Sequence, residues 1–376
     1  MNINIMKCYK VLFTQKGLIN NIGSYIIISI IFIEIILVVI FKIKGFNKIK
    51  LIINYFVKMY EKNKILKQNN QKVKIYKKNN KNQKNNKKIK KIKKSKKINK
   101  LIFDYNSKSE MNDFKIPNNS NKKINNNNLK IYNDKLTEKK DINNNNQFLF
   151  YNDYELNNLS YEEALEKDKR TYLEYYFSLL KMKQLLIFTF YTYTDYNSKI
   201  IKISLFLFLF ILNYTINALF FDDFTIHKIY IDKGDYNFIY QIAQIFYSSM
   251  ISSIISIIIK SLSLSEKNIA EIKRENNSIK EKEKKLVKCL LIKFIIFYIL
   301  IFLFLIFFWY YISCFGIIYK NTQMHLLKDT FVGFGLSLLF PFGTNLVPGI
   351  FRIISLNSQK KDLYCMYKIS KIIQII

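Results

Sequence analysis

Few residues in this chain are placed to do chemistry, and the first is Glu34, an acid near the middle of the apolar run Ser24 to Phe41. A carboxylate at mid-bilayer depth is expensive and by default marks a pathway or a partner. The plainer reading is a Glu that protonates or turns into a helix bundle. A second group is Asp222, Asp223, His227, Asp232 and Asp235, crowded into one short loop, with His325 and Asp329 in another. Carboxylates offer hard oxygen ligands and His titrates near neutrality, so these residues could sense a cation or a proton. The loop lacks the Asp/Gly spacing of a calcium loop, and a solvated acidic loop accounts for it more simply. The third candidate is Asn345, set between Pro341 and Pro348 where a helix must break. Unwound backbone at membrane depth survives only when buried in protein or lining a cavity, and transporters bind ligands at such breaks. A packed kink is the simpler alternative. Catalysis finds no foothold: Gly333-Phe334-Gly335-Leu336-Ser337 completes neither a nucleophile elbow nor a dinucleotide loop, and no phosphate loop or zinc helix occurs. The four cysteines (Cys8, Cys289, Cys314, Cys365) are scattered and set no metal or disulfide spacing. No enzyme, cofactor or metal is expected.

These residues sit on elements that the composition makes plain. Half the residues are hydrophobic while the net charge is +33. Both hold only if the two kinds of residue are segregated, as in a multi-pass membrane protein with basic loops. The excess of Lys, Asn, Ile, Tyr and Phe also suggests A/T-rich coding. The sequence predicts an all-α fold, an integral membrane helical bundle with five spans: Ser24–Phe41, Ile200–Phe221, Phe238–Leu262, Leu290–Ile318 and Phe331–Phe351. Five of the nine glycines (Gly316, Gly333, Gly335, Gly343, Gly349) and two of the three prolines fall between Trp309 and Leu356, making the last span a broken helix. Ser248, Ser252 and Ser256 recur every four residues on the third span, the small-residue pattern that lets membrane helices approach closely. Serines that only bond their own backbone are an equal alternative.

The domain reading is 1–44 for an N-terminal segment and first span, 45–150 for a Lys/Asn-rich disordered loop, and 151–199 for an amphipathic interfacial segment. Residues 200–356 hold the other four spans and 357–376 a basic tail. Ser160-Tyr161-Glu162-Glu163 fits a capping box, opening a helix expected to run to about Met182. The charged stretch 263–288 reads as a solvated stalk between spans three and four. With the N-terminus outside and the C-terminus cytoplasmic, inside segments hold 50 Lys and Arg and outside segments 7. The short loops alone agree, 8 and 5 against 2 and 2. Lys72–Lys100 carries fifteen lysines and no acid, so contact with anionic lipid is one reading and compositional drift the other. No aromatic platform accompanies the charge, which leaves nucleic acid without support.

Four stretches carry a resemblance: CYKVLFTQKGLINNIGSY (8–25), LSYEEALEKDKRTYLEYYFSLLKMKQLLIFTF (159–190), HKIYIDKGDYNFIYQIAQIFYSSMISSIISIIIKSLSLSEKNI (227–269) and WYYISCFGIIYKNTQMHLLKDTFVGFGLSLLFPFG (309–343). Together they resemble the C-terminal multi-pass membrane module of large, often cysteine-rich surface proteins of ciliates and related protists. The likeness spans nearly everything but the Lys/Asn insert and the tail after Arg352. It implies an integral protein of plasma or vesicle membrane and no established activity. The chain departs from that pattern in having no large ectodomain before Cys8, as expected of a truncated copy, a fragment or a poor gene model. Helix order and the Pro-containing last span are also distantly similar to polycystin-type receptor–channel proteins. The expected function is therefore a membrane anchor or assembly module without catalytic activity, able to form oligomers through its membrane helices. The alternative is a channel- or transporter-like subunit using Glu34, the acidic loop and the broken last helix.

Overall fold

The computed structural model describes residues 3–12, 14, 19–59, 61, 65, 151–221, 223–231, 238–274, 279–357 and 363–375. Most of the Lys/Asn insert, including Lys72–Lys100, lies outside them. The chain divides into one unit of Met1–Lys58 with Tyr151–Ile376 and a second of Met59–Phe150. The helices and contacts that follow belong to the first, save Met59 at the end of the first helix.

Every regular element among the described residues is helical. We label them α1 (Ile22–Met59, through a π-helical turn at Phe41–Gly45), α2 (Asp153–Asn157), α3 (Tyr161–Lys167) and α4 (Tyr172–Lys183). There follow α5 (Lys199–Phe220), α6 (Asp223–Ile231), α7 (Phe238–Ser263) and α8 (Glu266–Arg274). The last four are α9 (Ile279–Ile318), α10 (Gln323–Thr344), α11 (Leu346–Asn357) and α12 (Tyr364–Ile375). Five helical stretches are long and apolar enough to cross a membrane: α1, α5, Ile242–Ser263 of α7, Glu281–Ile318 of α9, and α10 with α11. The all-α membrane bundle expected from hydropathy is what forms.

α5 is the centre. Of its most apolar window 61 % is buried, against 22–33 % for the other four, and it packs on α1, α7, α9 and α10. A helix buried over most of its surface has other helices for its solvent, which is why Ser204, Asn213, Thr215 and Asn217 are tolerated there. The outer helices turn rows such as Ile295, Ile299 and Leu303 outward, as a lipid-facing surface requires.

One end of the bundle is closed by a polar knot. Asn21 caps α1 and donates to the Ser313 carbonyl of α9 (2.7 Å). Gln323, which opens α10, accepts from the Ile22 amide (2.9 Å) and donates to the Gly316 carbonyl (2.8 Å). Trp309 donates its indole N–H to Ser24 Oγ (2.9 Å). Gly316 permits this approach: a Cβ there would stand 2.5 Å from Asn21 Oδ1.

At the other end lies a cap of short helices, and here the structure departs from expectation. The segment from Ser160 is not one helix. α3 ends at Lys167 and α4 begins at Tyr172, because Asp168 leaves helical geometry and Thr171 starts a new cap. The capping box at Ser160 and Glu163 forms, and two more of the same pattern occur at Asn152/Glu155 and Thr171/Glu174. Residues 45–59, read as the start of a disordered loop, extend α1 as helix. The stretch 263–288 is not solvated stalk throughout. Its first half is α8, whose Ile269 and Ala270 are buried and whose Lys273 is held by Glu155 at 2.8 Å. The tail is also ordered: α12 packs on α11, with Tyr367 buried beside Leu159 and Ala164.

Candidate functional site

The densest polar constellation is in this cap. Arg352, on α11, is fully buried and donates through Nε (3.1 Å) and Nη2 (2.8 Å) to Asp168 Oδ2, and through Nη2 to the Leu156 carbonyl (2.8 Å). Arg170 forks onto the same carboxylate, Nε to Oδ1 at 2.8 Å and Nη2 to Oδ2 at 2.9 Å, and reaches Asn157 and Ser178. Tyr175 lies between the two guanidinium groups, 4.8 Å from Arg352 and 5.3 Å from Arg170, and Tyr367 faces Arg352 at 5.0 Å. Burial pushes the Asp168 carboxyl up, but the bonds and charges of Arg170 and Arg352 outweigh it and hold it below the usual carboxylate range. The planar fork of Arg suits this bidentate, stacked geometry in a way that Lys does not.

A second cluster closes the seam between α5 and α8. Lys202 Nζ donates to the carbonyls of Phe188 (3.2 Å) and Thr192 (2.9 Å) and to Asp195 Oδ1 (2.8 Å). Three donors meet three acceptors, the full complement of an ammonium. Ser265, just before α8, bonds the Asn197 side chain and the Tyr196 carbonyl. Glu266 is buried there, and burial together with the neighbouring Asp195 carboxylate pushes its carboxyl up to about 8. Burial also raises Asp195 against the pull of Lys202. A third pair, Lys273 with Glu155, is joined to this cluster through the Tyr196 hydroxyl, which donates to Glu155 (3.2 Å). α2 links everything: Glu155 belongs to one side of the network and Asn157 to the other.

The sign of the pH dependence follows from Glu266. Between about 4.5 and about 8 the folded chain keeps a proton that the unfolded chain has lost, so stability falls as pH rises through that window. In detergent, the melting temperature is expected to drop between pH 5 and pH 8 by at least about 2 °C, the shift that about 1 kcal/mol produces in a domain of this size. Glu266→Gln should flatten the profile. An unchanged slope in that variant would remove Glu266 from the account.

The residues singled out in the sequence fall elsewhere. Glu34 is buried inside the bundle and accepts from the Ser204 hydroxyl of α5 (2.6 Å), so its partner is a hydroxyl and not a lysine. Its second oxygen, like the buried Tyr298 hydroxyl of α9, has no hydrogen-bond partner among the described residues. The last helix breaks at Asn345, whose backbone and side-chain N–H groups both return to the Pro341 carbonyl (3.2 and 2.7 Å). Pro341 lies inside α10 and Pro348 is buried in α11. The break is beside the cap: Tyr176 and Tyr172 donate to the carbonyls of Phe342 and Leu346 on either side of it. Ser248 and Ser252 are buried and Ser256 half-buried, while Ser248 and Ser256 bond carbonyls of their own helix, so close packing and back-bonding occur together.

Of the acidic loop, Asp222, Asp232 and Asp235 lie outside the described residues. Asp223 and His227 are exposed on α6, with Asp223 accepting from Tyr319 (2.9 Å). His325 and Asp329 are not in a loop but buried on α10. Among the described residues no group of three or more His, Cys, Asp or Glu could hold a metal ion.

The cap residues Arg352, Asp168, Arg170, Lys202 and Asp195 escaped the sequence reading. A signal existed: only three of the sixty basic residues are Arg (Arg170, Arg274, Arg352), and two of them form this site. In a chain that otherwise uses Lys for positive charge, an Arg marks a place where its shape matters. No protein-family model, curated protein or solved structure matches the chain significantly, so the geometry carries the functional reading.

Proposed function

We propose that this chain is a membrane anchor and assembly module of a surface protein, without catalytic activity. Its N-terminus lies outside and its C-terminus with the cap lies at the cytoplasmic face, as the distribution of basic residues favours. The observation that carries this reading is how the buried polar groups are used. Glu34 is bonded to Ser204, Asn21 to α9, Gln323 to α1 and α9, and Arg352 to Asp168 across 184 residues of chain. Each joins helix to helix. A translocation path would instead leave such groups facing a water-filled cavity. The resemblance to the membrane module of protist surface proteins fits the same role, with the cap as a rigid base on which cytoplasmic partners or neighbouring copies assemble.

Ion flux through the purified protein in liposomes tests it. The expected result is no flux above that of empty liposomes, for wild type and Glu34→Gln alike, in preparations shown to be folded and inserted. Flux that exceeds the empty control and falls in Glu34→Gln would replace the anchor with a channel-like subunit and put Glu34 on its path.

A further inference from the structure

A groove opens between α1 and α9 where both leave the apolar core, with a volume of about 400 Å³. Each helix contributes residues one turn apart. From α1 come Phe46 and Lys50, the ammonium standing 4.8 Å from the Phe46 ring, with Asn54 a turn farther on. From α9 come Lys284 and Lys288 with Val287 and Leu291. Steps of three and four residues put these on one stripe of each helix. The lining is therefore graded, with Phe46, Val287 and Leu291 as an apolar floor and three ammonium groups above it. Glu283 is the one acid among the lining residues. None of the three lysines is in an ion pair among the described residues.

Toward the membrane core the lining changes character. Leu291, Ile295 and Ile299 continue the α9 stripe in steps of four, each at least 40 % exposed, and Ile40 and Ile43 are exposed on α1. A ligand fitting the whole feature has a negative head and an apolar tail. The Lys-rich insert is a poor occupant, since fifteen lysines without an acid in Lys72–Lys100 repel a lysine-lined groove.

We propose that the α1–α9 groove binds the phosphate-bearing headgroup of an anionic phospholipid, its acyl chains lying along the exposed stripes of α1 and α9. Lys50, Lys284 and Lys288 bind the phosphate oxygens as point charges, and Phe46 and Leu291 cover the glycerol and upper chain. The site goes beyond the anchor reading and holds equally for a channel.

The test uses the full-length protein in neutral detergent with three probes: dioctanoyl phosphatidylinositol 4-phosphate, dioctanoyl phosphatidylcholine and free inositol 1,4-bisphosphate. The charged lipid should bind in preference to the neutral one and at least tenfold more tightly than the free headgroup. Lys50→Gln/Lys284→Gln/Lys288→Gln should weaken it by on the order of tenfold or more. A control with equal charge loss at exposed lysines away from the groove, Lys7→Gln/Lys10→Gln/Lys320→Gln, should stay within about twofold. Replacing the same three groove lysines by Arg should keep binding, which separates charge from damage to the fold, and Lys288→Gln alone on the exposed rim should give the same ranking at smaller amplitude. The proposal fails if the groove variant loses no more than the control. It fails also if the free headgroup binds as well as the lipid, which would make the groove a site for soluble phosphates.

Discussion

Asp168→Ala is expected to destabilise the protein by roughly 3–5 kcal/mol, the range for removing one partner of a buried ion pair. Arg352 is fully buried, and among the described residues it pairs with no acid but Asp168; its remaining hydrogen bond goes to the Leu156 carbonyl. Without Asp168 its charge is stranded. Arg352→Ala should cost less, about 2–3 kcal/mol, because Asp168 keeps Arg170, whose side chain retains 12 % exposure, and what is lost is packing between Tyr175 and Tyr367. Arg352→Lys should recover less than half of that, lacking the fork. Hydrogen exchange locates the damage. Amides of α2–α4, α11 and α12 should exchange faster in Asp168→Ala while α1, α5 and α9 stay protected. Uniform loss across the bundle, or a loss larger for Arg352→Ala than for Asp168→Ala, would contradict this assignment of charge.

Lys202→Met should be about as severe, roughly 3–5 kcal/mol, though it preserves side-chain volume. It removes the cation that faces two buried acids, Asp195 and Glu266, and leaves the carbonyls of Phe188 and Thr192 without their donor. Methionine fills the space over the Phe188 ring but supplies no N–H. Adding Asp195→Asn should return part of the loss, with a coupling of at least about 1 kcal/mol, since the pair is in contact. Strictly additive melting shifts in the single and double variants would mean that the two residues are not the unit described.

How much of this was legible in the sequence divides by range. The five spans were, because hydropathy over some twenty residues is a local property, and so was the Ser160/Glu163 cap, whose residues stand three positions apart. Thr171/Glu174 carries the same pattern and would have broken the expected helix into its true pieces, as Asn152/Glu155 would have marked the short helix before it. Glu34 stood out as an acid among apolar neighbours, but Ser204, 170 residues away, could not be named as its partner. The cap network was invisible for the same reason: Asp168 and Arg352 are ordinary until the chain brings them together, and Lys202 is one of many lysines. The stalk was misread because α8 looks solvated by composition. It packs on α9, and its Lys273 is held by Glu155 and Tyr196, on elements far back in the chain.

The position of α5 has a consequence for how the sequence can drift. Lipid accepts any apolar shape, so outward rows on α1 and α9 can exchange Ile, Leu, Phe and Val with little effect on packing, and biased codon usage can run freely there. α5 meets side chains on every face over Ile211–Ala218, where eight consecutive residues are buried. Each methyl group there has a defined neighbour, and close-packed interiors register a change of a single methylene. The helix with fewest lipid contacts is thus the one whose residues report selection rather than nucleotide bias. Copies of this protein should differ most on the surfaces that look most hydrophobic.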